Sequence, residues 1–347
     1  MTLRSMLMVA AVVLVAGCGG ASSAAPGTST STQPLTPATI KVSLPGLATA
    51  FSQADIAVAQ ANGFFKDQEL TVQTQGLSSG VQTVQSVVAG DSDIGASSIE
   101  PVLAAAAAGN LAIIGSYADR LPVVMETPST ITRPADLKGK QLGIQSVGAF
   151  REIMTRFVYQ GAGLTQTDVH YVPVADTGYI SALLAGRIDS AILQQEQSID
   201  AEQRAPSLHV LVDLEKTLPN YFYGTYFAKS DWLQVHQDVA VRFLTAITKA
   251  HRLIYGSRAR VVPQIATATG FSTDVISSAY DRLIVKDGVF AVNEGLEAKR
   301  LQYTVGKMQS EGLLPAGAPD LAKVVDRAPI HQVVQSLGPM TGDPRWH

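Results

Sequence analysis

Serine, glycine and glutamine residues cluster in short loops that come directly before predicted helices. The loops read LPGLATAFSQ, GLSSG, GASSIEP and IQSVGAFRE. Helix N-termini offer unpaired N–H groups and a partial positive charge, and serine hydroxyls add further donors, so this pattern is typical of sites that hold a small anion. With two glutamines and a tyrosine from later segments, the candidate ligand-binding residues are Ser52, Gln53, Ser79, Gly80, Ser97, Ser98, Ser146, Gly148, Arg151, Gln194, Gln195 and Tyr223.

Each of these candidates also has an ordinary structural explanation. A serine before a helix is commonly only an N-cap, and an arginine in a first helical turn, such as Arg151, is commonly exposed. If Glu100 or Asp55 faces the cleft, a neutral or cationic ligand is favoured instead, because a carboxylate would then lie in the site. Two roles are consistent with the aromatic cluster of Tyr221, Phe222, Tyr223 and Tyr226. These side chains either pack in the core or form an apolar wall of the ligand pocket.

Strand-like and helix-like segments alternate along the chain in two successive rounds. The first round contains the strand-like segments TIKVSLPG, ELTVQTQG, SDIGASS and LAIIGSYA. The second begins after Leu121-Pro122 and contains PVVMET, KQLGIQS, DVHYVPV and DSAILQ. Alternation of this length predicts an α/β fold with mostly parallel sheets flanked by helices, and two rounds predict two lobes.

One short phrase occurs once in each round. SVVAGDSDIGAS at Ser86–Ser97 returns as ALLAGRIDSAIL at Ala182–Leu193. We interpret both copies as a helix with a C-terminal glycine, followed by an aspartate that binds loop N–H groups before a buried strand. Paired catalytic acids are a weaker interpretation of Asp93 and Asp189, since open α/β sheets bind ligands beyond the carboxyl ends of their strands. Those ends are Ser97-Ser98 and Gln194-Gln195.

The N-terminal segment has the pattern of a secretory signal. Its apolar run, MLMVAAVVLVAG, is shorter than the roughly 20 residues that a membrane-spanning helix needs. The run ends in LVAGC, which resembles the bacterial lipobox, although a stray thiol in an ordinary signal peptide is the alternative. We therefore predict a signal peptide at residues 1–17, a lipidated Cys18 with a flexible tether over 18–39, and a lipid-anchored protein on the extracytoplasmic face of the cell membrane.

Composition excludes several classes of protein. The net charge is −3, charged residues are 16% of the chain, and the sequence lacks the basic run that nucleic-acid binding would favour. Cys18 is the one cysteine, so neither an intrachain disulfide nor a cysteine-rich metal site is expected. The six histidines lack metal-ligand spacing, and the motifs G-x-x-x-x-G-K and H-E-x-x-H are absent from the sequence. We predict a monomer without cofactor or metal that is not an enzyme.

Four segments together resemble a known family. VAQANGFFKDQELTVQ, GVQTVQSVVAGDSDIGASS, ITRPADLKGKQLGIQSVGAFRE and ALLAGRIDSAIL are similar to the solute-binding proteins of ABC importers for sulfonates, nitrate and taurine, a family that includes binders of thiamine-pyrimidine precursors. The resemblance implies a bilobal periplasmic-binding-protein (Venus flytrap) fold. Lobe 1 would comprise 40–121 plus 226–347 and lobe 2 would comprise 122–225, with crossings near Asp119–Val124 and Tyr221–Phe227.

The resemblance also implies a function. The expected role is capture of a small organic anion between the lobes and its delivery to a membrane permease. A neutral or cationic heterocycle such as a thiamine pyrimidine precursor is the alternative ligand, and a ligand sensor or a pyrimidine-synthase type of enzyme is the alternative class. Fungal relatives of the enzyme type carry a cysteine-rich iron motif that this chain lacks. The segment LQQEQS departs from many relatives, which have an aromatic residue and a Glu-Pro pair there, and this predicts a different or more polar ligand.

Overall fold

The computed structural model describes residues 35–46, 49–106, 109–314 and 319–346. Residues Thr36–His347 form one compact unit. The predicted signal peptide, Cys18 and the tether as far as residue 34 lie outside the described residues.

The first of two five-stranded sheets combines early and late parts of the chain. Its strand order is β2-β1-β3-β10-β4. Strand β1 pairs in parallel with β2 and β3, whereas β10 is antiparallel to both β3 and β4. The five strands are β1 (Ala38–Leu44), β2 (Leu70–Gly76), β3 (Ile94–Ser98), β4 (Leu111–Ala118) and β10 (Gly224–Lys229).

The second sheet repeats this arrangement with a contiguous part of the chain. Its order is β7-β6-β8-β5-β9, and β5 is again an antiparallel strand between two others. The strands are β5 (Val123–Pro128), β6 (Gln141–Ile144), β7 (His170–Pro173), β8 (Ser190–Gln194) and β9 (Leu208–Asp213). The predicted α/β class with two mixed sheets flanked by helices is confirmed.

Helices cover both sheets, which explains why the central strands β3 and β8, and also the edge strand β4, are buried along their whole length. The helices of the first half are α1 (Asp55–Ala61), α2 (Gly80–Ala89), α3 (Ile99–Ala106), α4 (Phe150–Gly161), α5 (Tyr179–Leu184), α6 (Gln195–Arg204) and α7 (Leu214–Thr217). The later helices are α8 (Ser230–Gly256), α9 (Arg258–Thr269), α10 (Thr273–Tyr280), α11 (Ala298–Ser310), α12 (Leu321–Val324) and α13 (Ala328–Leu337).

We call the first sheet with α1–α3 and α8–α13 the first lobe, and the second sheet with α4–α7 the second lobe. Helix α8 packs against β4 and β10, and α10 also contacts α6 of the second lobe. The chain passes between the sheets at 119–122 and again at 218–223. The exact residue boundaries of the lobes stay a prediction. In the part of the chain that the structure describes, none of the helices has the length and apolar character to cross a bilayer.

The two copies of the repeated phrase occupy equivalent places. In the first, α2 ends at Gly90, whose φ of 85° suits glycine, and Asp93 precedes β3. In the second, Gly186 has a φ of 66° and Asp189 precedes β8. Each aspartate accepts a main-chain hydrogen bond at the start of the sheet rather than at the carboxyl ends of the strands. The structural interpretation of the repeat therefore holds.

Candidate functional site

A cavity of about 170 Å³ lies between the two lobes, at the carboxyl ends of the central strands. The first lobe contributes the β1–α1 loop, the start of α2, the end of β3, Tyr117 and Tyr223. The second lobe contributes the starts of α4, α5 and α6. Thr269 and Phe271, at the end of α9, complete the wall. This is the position at which open α/β sheets bind small molecules.

Half of the predicted ligand-binding residues line this cavity. They are Gln53, Gly80, Ser98, Arg151, Gln194 and Tyr223. Steric crowding explains why position 80 is a glycine, because a Cβ there would lie 2.2 Å from the Ser97 hydroxyl oxygen. Ligand contact by these six residues stays a prediction, but the structure brings all of them to one surface.

Two predicted residues, Ser52 and Ser97, lie behind the cavity wall. Both are fully buried. The Ser52 hydroxyl donates to Gln194 Oε1 at 3.4 Å, and this contact joins the two lobes. Ser52 therefore supports a wall residue instead of facing the cavity.

Four further predicted residues, Ser79, Ser146, Gly148 and Gln195, do not line the cavity. They either make local hydrogen bonds or line a neighbouring depression. Ser79 is the N-cap of α2, where its hydroxyl accepts from Gln82 N. Ser79 and Ser146 both line an outer depression of about 520 Å³, to which Gln145 also belongs. The main-chain N–H of Gly148 donates to Glu152 Oε2 at 3.0 Å, and that of Gln195 donates to Pro122 O at 3.0 Å.

Glu196 is the main wall residue that the sequence reasoning missed. It is 1% exposed and lies in the first turn of α6. Its Oε1 accepts the main-chain N–H of Phe51 across the cleft at 3.0 Å, while its buried Oε2 has no hydrogen-bond partner among the described residues. Burial raises the pKa of this carboxyl, and the main-chain N–H groups of Phe51 and of Glu196 itself, together with the positive charge of Arg151, oppose that rise.

Arg151 is held within the second lobe. Its guanidinium stacks over the Tyr179 ring at 4.5 Å from the centroid. It also donates to Ile192 O, and to Gln197 Oε1 at 3.2 Å. Protein groups of the second lobe therefore fix the guanidinium in place.

Aromatic rings form one side of the cavity. Tyr223 packs against Phe150 at 4.8 Å between centroids and meets Tyr117 edge-on at 5.6 Å. The Tyr223 hydroxyl accepts from Gln194 Nε2 at 3.1 Å, which is a second hydrogen bond between the lobes. Burial raises the pKa values of the Tyr117 and Tyr223 hydroxyls, so both stay protonated at neutral pH.

The other carboxylates considered from the sequence are used in the core. Tyr221 donates to Glu100 at 2.8 Å, and Tyr226 donates to Asp55 at 2.8 Å. Core packing is thus the role of these two tyrosines, in contrast to Tyr223. Among the described residues, histidine, cysteine and acidic side chains form no group that could hold a metal ion.

Residues 50–257 match the family model described as "NMT1/THI5 like". The chain belongs to this family. It is 22% identical to YtlA of Bacillus subtilis (strain 168), provisionally assigned as a binding protein, over 77% of this chain and 82% of that protein. The matched range includes parts of both lobes, and it confirms the family that the four sequence segments resemble.

Solved structures confirm the expected bilobal fold. The alkanesulfonate-binding protein SsuA from Xanthomonas axonopodis pv. citri, bound to MOPS, has a TM-score of 0.69 and 19% identity, over 84% of this chain and 99% of that chain. The desulfurization enzyme DSZB has a TM-score of 0.63 and 15% identity, over 86% and 99% of the two chains. Because one of these similar structures is an enzyme, function has to be argued from the site.

Proposed function

We propose that this protein is the extracytoplasmic solute-binding component of an ABC importer, which captures a small organic solute between its lobes and delivers it to a membrane permease. The single observation that carries the proposal is the cavity enclosed by both lobes. Its walls are linked directly by the Glu196–Phe51 and Gln194–Tyr223 hydrogen bonds. A ligand that contacts both walls stabilises the closed form over the open form by its differential affinity.

Binding alone accounts for the composition of the wall. Hydroxyl, amide and aromatic groups dominate it, and these groups orient a ligand without forming covalent intermediates. Four to six charge-assisted hydrogen bonds to an ionised ligand, at roughly 1.5–3 kcal/mol each and less the cost of closing, give a dissociation constant on the order of micromolar. An affinity of that order is adequate for a transport receptor.

The family resemblance favours a small organic anion of the sulfonate, nitrate or taurine type. The charged groups of the described wall are one arginine, which the second lobe already binds, and one carboxylate. A binding experiment should therefore include anionic solutes as well as neutral and cationic ones. Lipidation at Cys18 would keep the receptor near its permease, and a signal peptide would bring it to the extracytoplasmic face.

Closure on ligand binding is the direct test. Isothermal titration with taurine, nitrate, ethanesulfonate, hydroxymethylpyrimidine and simple amines would be paired with small-angle X-ray scattering of the mature chain. We expect at least one compound to bind and to reduce the radius of gyration. Ile180→Trp fills the cavity from its wall and should abolish both effects, whereas Val147→Trp, at a position 72% exposed, should preserve them. Turnover of a bound compound, detected by mass spectrometry, would favour an enzyme instead.

A further inference from the structure

An apolar groove of about 480 Å³ lies against the second crossing, apart from the cavity between the lobes. Helix α4, the turn at Pro134–Leu137, the end of β9 and helix α7 of the second lobe form most of it, and Lys307 of α11 in the first lobe completes the wall. Among the described residues, none lines both the groove and the cavity. The groove has a volume within the roughly 300–1,000 Å³ that pockets for small organic molecules occupy.

The apolar surface of the groove is held in a fixed shape. Phe157 and Leu218 each keep 6% of their surface exposed, and Ala162 and Val212 are half-buried. Tyr221, in the second crossing, meets the Phe157 ring edge-on at 5.8 Å between centroids. An apolar group that enters the groove loses its contact with water without requiring the wall to rearrange.

Gly161 leaves room in the groove at the end of α4. Its backbone is not in the left-handed region, and no atom outside its own stretch of helix lies within 4 Å of a Cβ placed there. Glycine is less favourable than alanine in a helix, so local structure gives no reason for a glycine at this position. Because Gly161 lines the groove, a larger side chain would take up part of its volume.

The charged side chains of the described groove wall are two cations, Arg133 and Lys307. Lys307 Nζ lies 4.8 Å from the centroid of the Phe157 ring, so its charge sits over the apolar surface. It donates to Glu311 Oε1 at 2.6 Å, which uses one of its three N–H donors. Arg133 is exposed and donates through Nε to Asp136 Oδ1 at 3.0 Å.

The acids that pair with these cations lie outside the groove wall. Both pairs join residues three or four positions apart, and such pairs near the surface contribute little. The ammonium and guanidinium groups keep further donors for another acceptor. The wall therefore complements a negative charge carried on an apolar body, whereas it would repel a positive charge.

We propose that this groove is a second binding site, for a small amphipathic acid whose anionic head pairs with Lys307 while its apolar tail lies against Phe157 and Leu218. The exposed guanidinium of Arg133 adds positive charge at the same wall. The site is separate from the cavity between the lobes, and its occupant does not depend on the solute bound there.

Three compounds with the same chain test the choice of an acid. Octanoate, octanamide and octylamine differ only in the charge of the head group, and titration calorimetry at neutral pH compares them below the concentration at which they aggregate. We expect octanoate to bind, octanamide to bind at least tenfold more weakly, and octylamine to bind more weakly still. Equal binding of the acid and the amide, or no binding of octanoate, would overturn the proposal.

Two substitutions locate the bound acid. Gly161→Leu fills the groove and should abolish octanoate binding, whereas Ile180→Trp, which fills the cavity between the lobes, should leave it unchanged. The opposite result would place octanoate in the cavity and refute the second site. Titrations of the cavity respond to Ile180→Trp and those of the groove do not, so failure of this inference leaves the proposed function standing.

Lys307→Met isolates the role of the charge, because it keeps an unbranched apolar side chain over the Phe157 ring. We expect at least tenfold weaker octanoate binding with octanamide unchanged, and Lys307→Arg should retain binding if the methionine variant does not fold. Lys299→Met is the matched control, since Lys299 is an exposed residue of the same helix outside the groove. Equal losses at the two lysines would refute a specific role of Lys307.

A second copy of the chain is the other occupant that an apolar groove could take. Sedimentation velocity over a range of protein concentrations should show a monomer. A dimer that Gly161→Leu dissociates would show that another copy covers the groove, and it would overturn the assignment to a small acid.

Discussion

Asp93 and Asp189 make the same hydrogen bond in the two lobes. Asp93 Oδ2 accepts from Lys41 N, and Asp189 Oδ2 accepts from Gln141 N, each at 2.8 Å. The main-chain N–H of each aspartate returns a bond to the carbonyl of the same partner. The repeated phrase in the sequence therefore encodes one structural unit that ties a central strand to its neighbour.

Removing either aspartate should lower stability without affecting ligand binding. Asp93→Ala and Asp189→Ala are each expected to cost about 1 kcal/mol in urea unfolding, and the double variant about the sum, because the two sites share no partner. Asparagine at either position keeps an acceptor oxygen and should recover most of the loss. A drop in affinity for a bound solute would contradict this purely structural role.

Ser98 and Ser146 distinguish the cavity from the outer depression. Ser98 is part of the cavity wall, whereas Ser146 lines the depression outside it. Ser98→Ala should weaken binding of a solute about tenfold, the equivalent of about 1.4 kcal/mol, and Ser146→Ala should leave it nearly unchanged. Calorimetric titration compares the two variants, and a larger effect at Ser146 would place the ligand in the outer depression.

Glu215 should make the stability depend on pH. Its Oε2 accepts from Leu121 N in the first crossing at 3.0 Å, and burial raises its pKa from 4.5 to about 8 although Arg300 lowers it. Because the folded state then binds the proton more tightly than the unfolded state, this contribution is full below pH 4.5 and is lost as the pH rises to about 8. Glu215→Gln should flatten the fall in melting temperature between pH 5 and pH 8.

Glu297→Gln is the control for that experiment. Glu297 pairs with the same Arg300 at 3.5 Å, but its side chain is 43% exposed. Removing this charge should leave the pH profile close to that of the unmodified protein, since exposed pairs contribute little. If both variants flatten the profile equally, the slope does not come from the buried carboxyl of Glu215.

Cys18→Ala tests the predicted lipid anchor. In cells that process lipoproteins, the unmodified protein should fractionate with membranes, and the variant should appear in the soluble fraction. Metabolic labelling with a palmitate analogue should mark only the cysteine-containing form. Membrane association of an unlabelled variant would show that something other than acylation retains the protein.

Much of the fold was predictable because its signals are local. Runs such as LAIIGSYA and DSAILQ are apolar and short, glycine ends the helices before β3 and β8, and these features alternate with helical periods. The insertion of β10 between β3 and β4 has no such local signal. It depends on pairing between residues more than a hundred positions apart, which periodicity does not report.

Most of the predicted wall residues were found at junctions between a strand or loop and a helix, whereas Tyr223 was found in an aromatic cluster before β10. Gln53, Ser98 and Gln194 were identified by their position at loop–helix junctions. Tyr117 was missed because it lies in an apolar strand that is typical of core, and Phe271 because it comes from a C-terminal helix end. Glu196 lies in the LQQEQS segment, which differs from the corresponding segment of many relatives. The sequence does not show which polar residue of that segment lines the cavity, because this depends on the packing of α6.

The late entry of β10 affects how the protein is made. During synthesis the first sheet has a gap at its centre until Lys229 has left the ribosome, whereas every strand of the second sheet is complete once Asp213 has emerged. The second lobe can therefore assemble before the first, while β1–β4 have been synthesised but still lack β10. A nascent chain stalled between these two points would expose the apolar edges of β3 and β4 to chaperones.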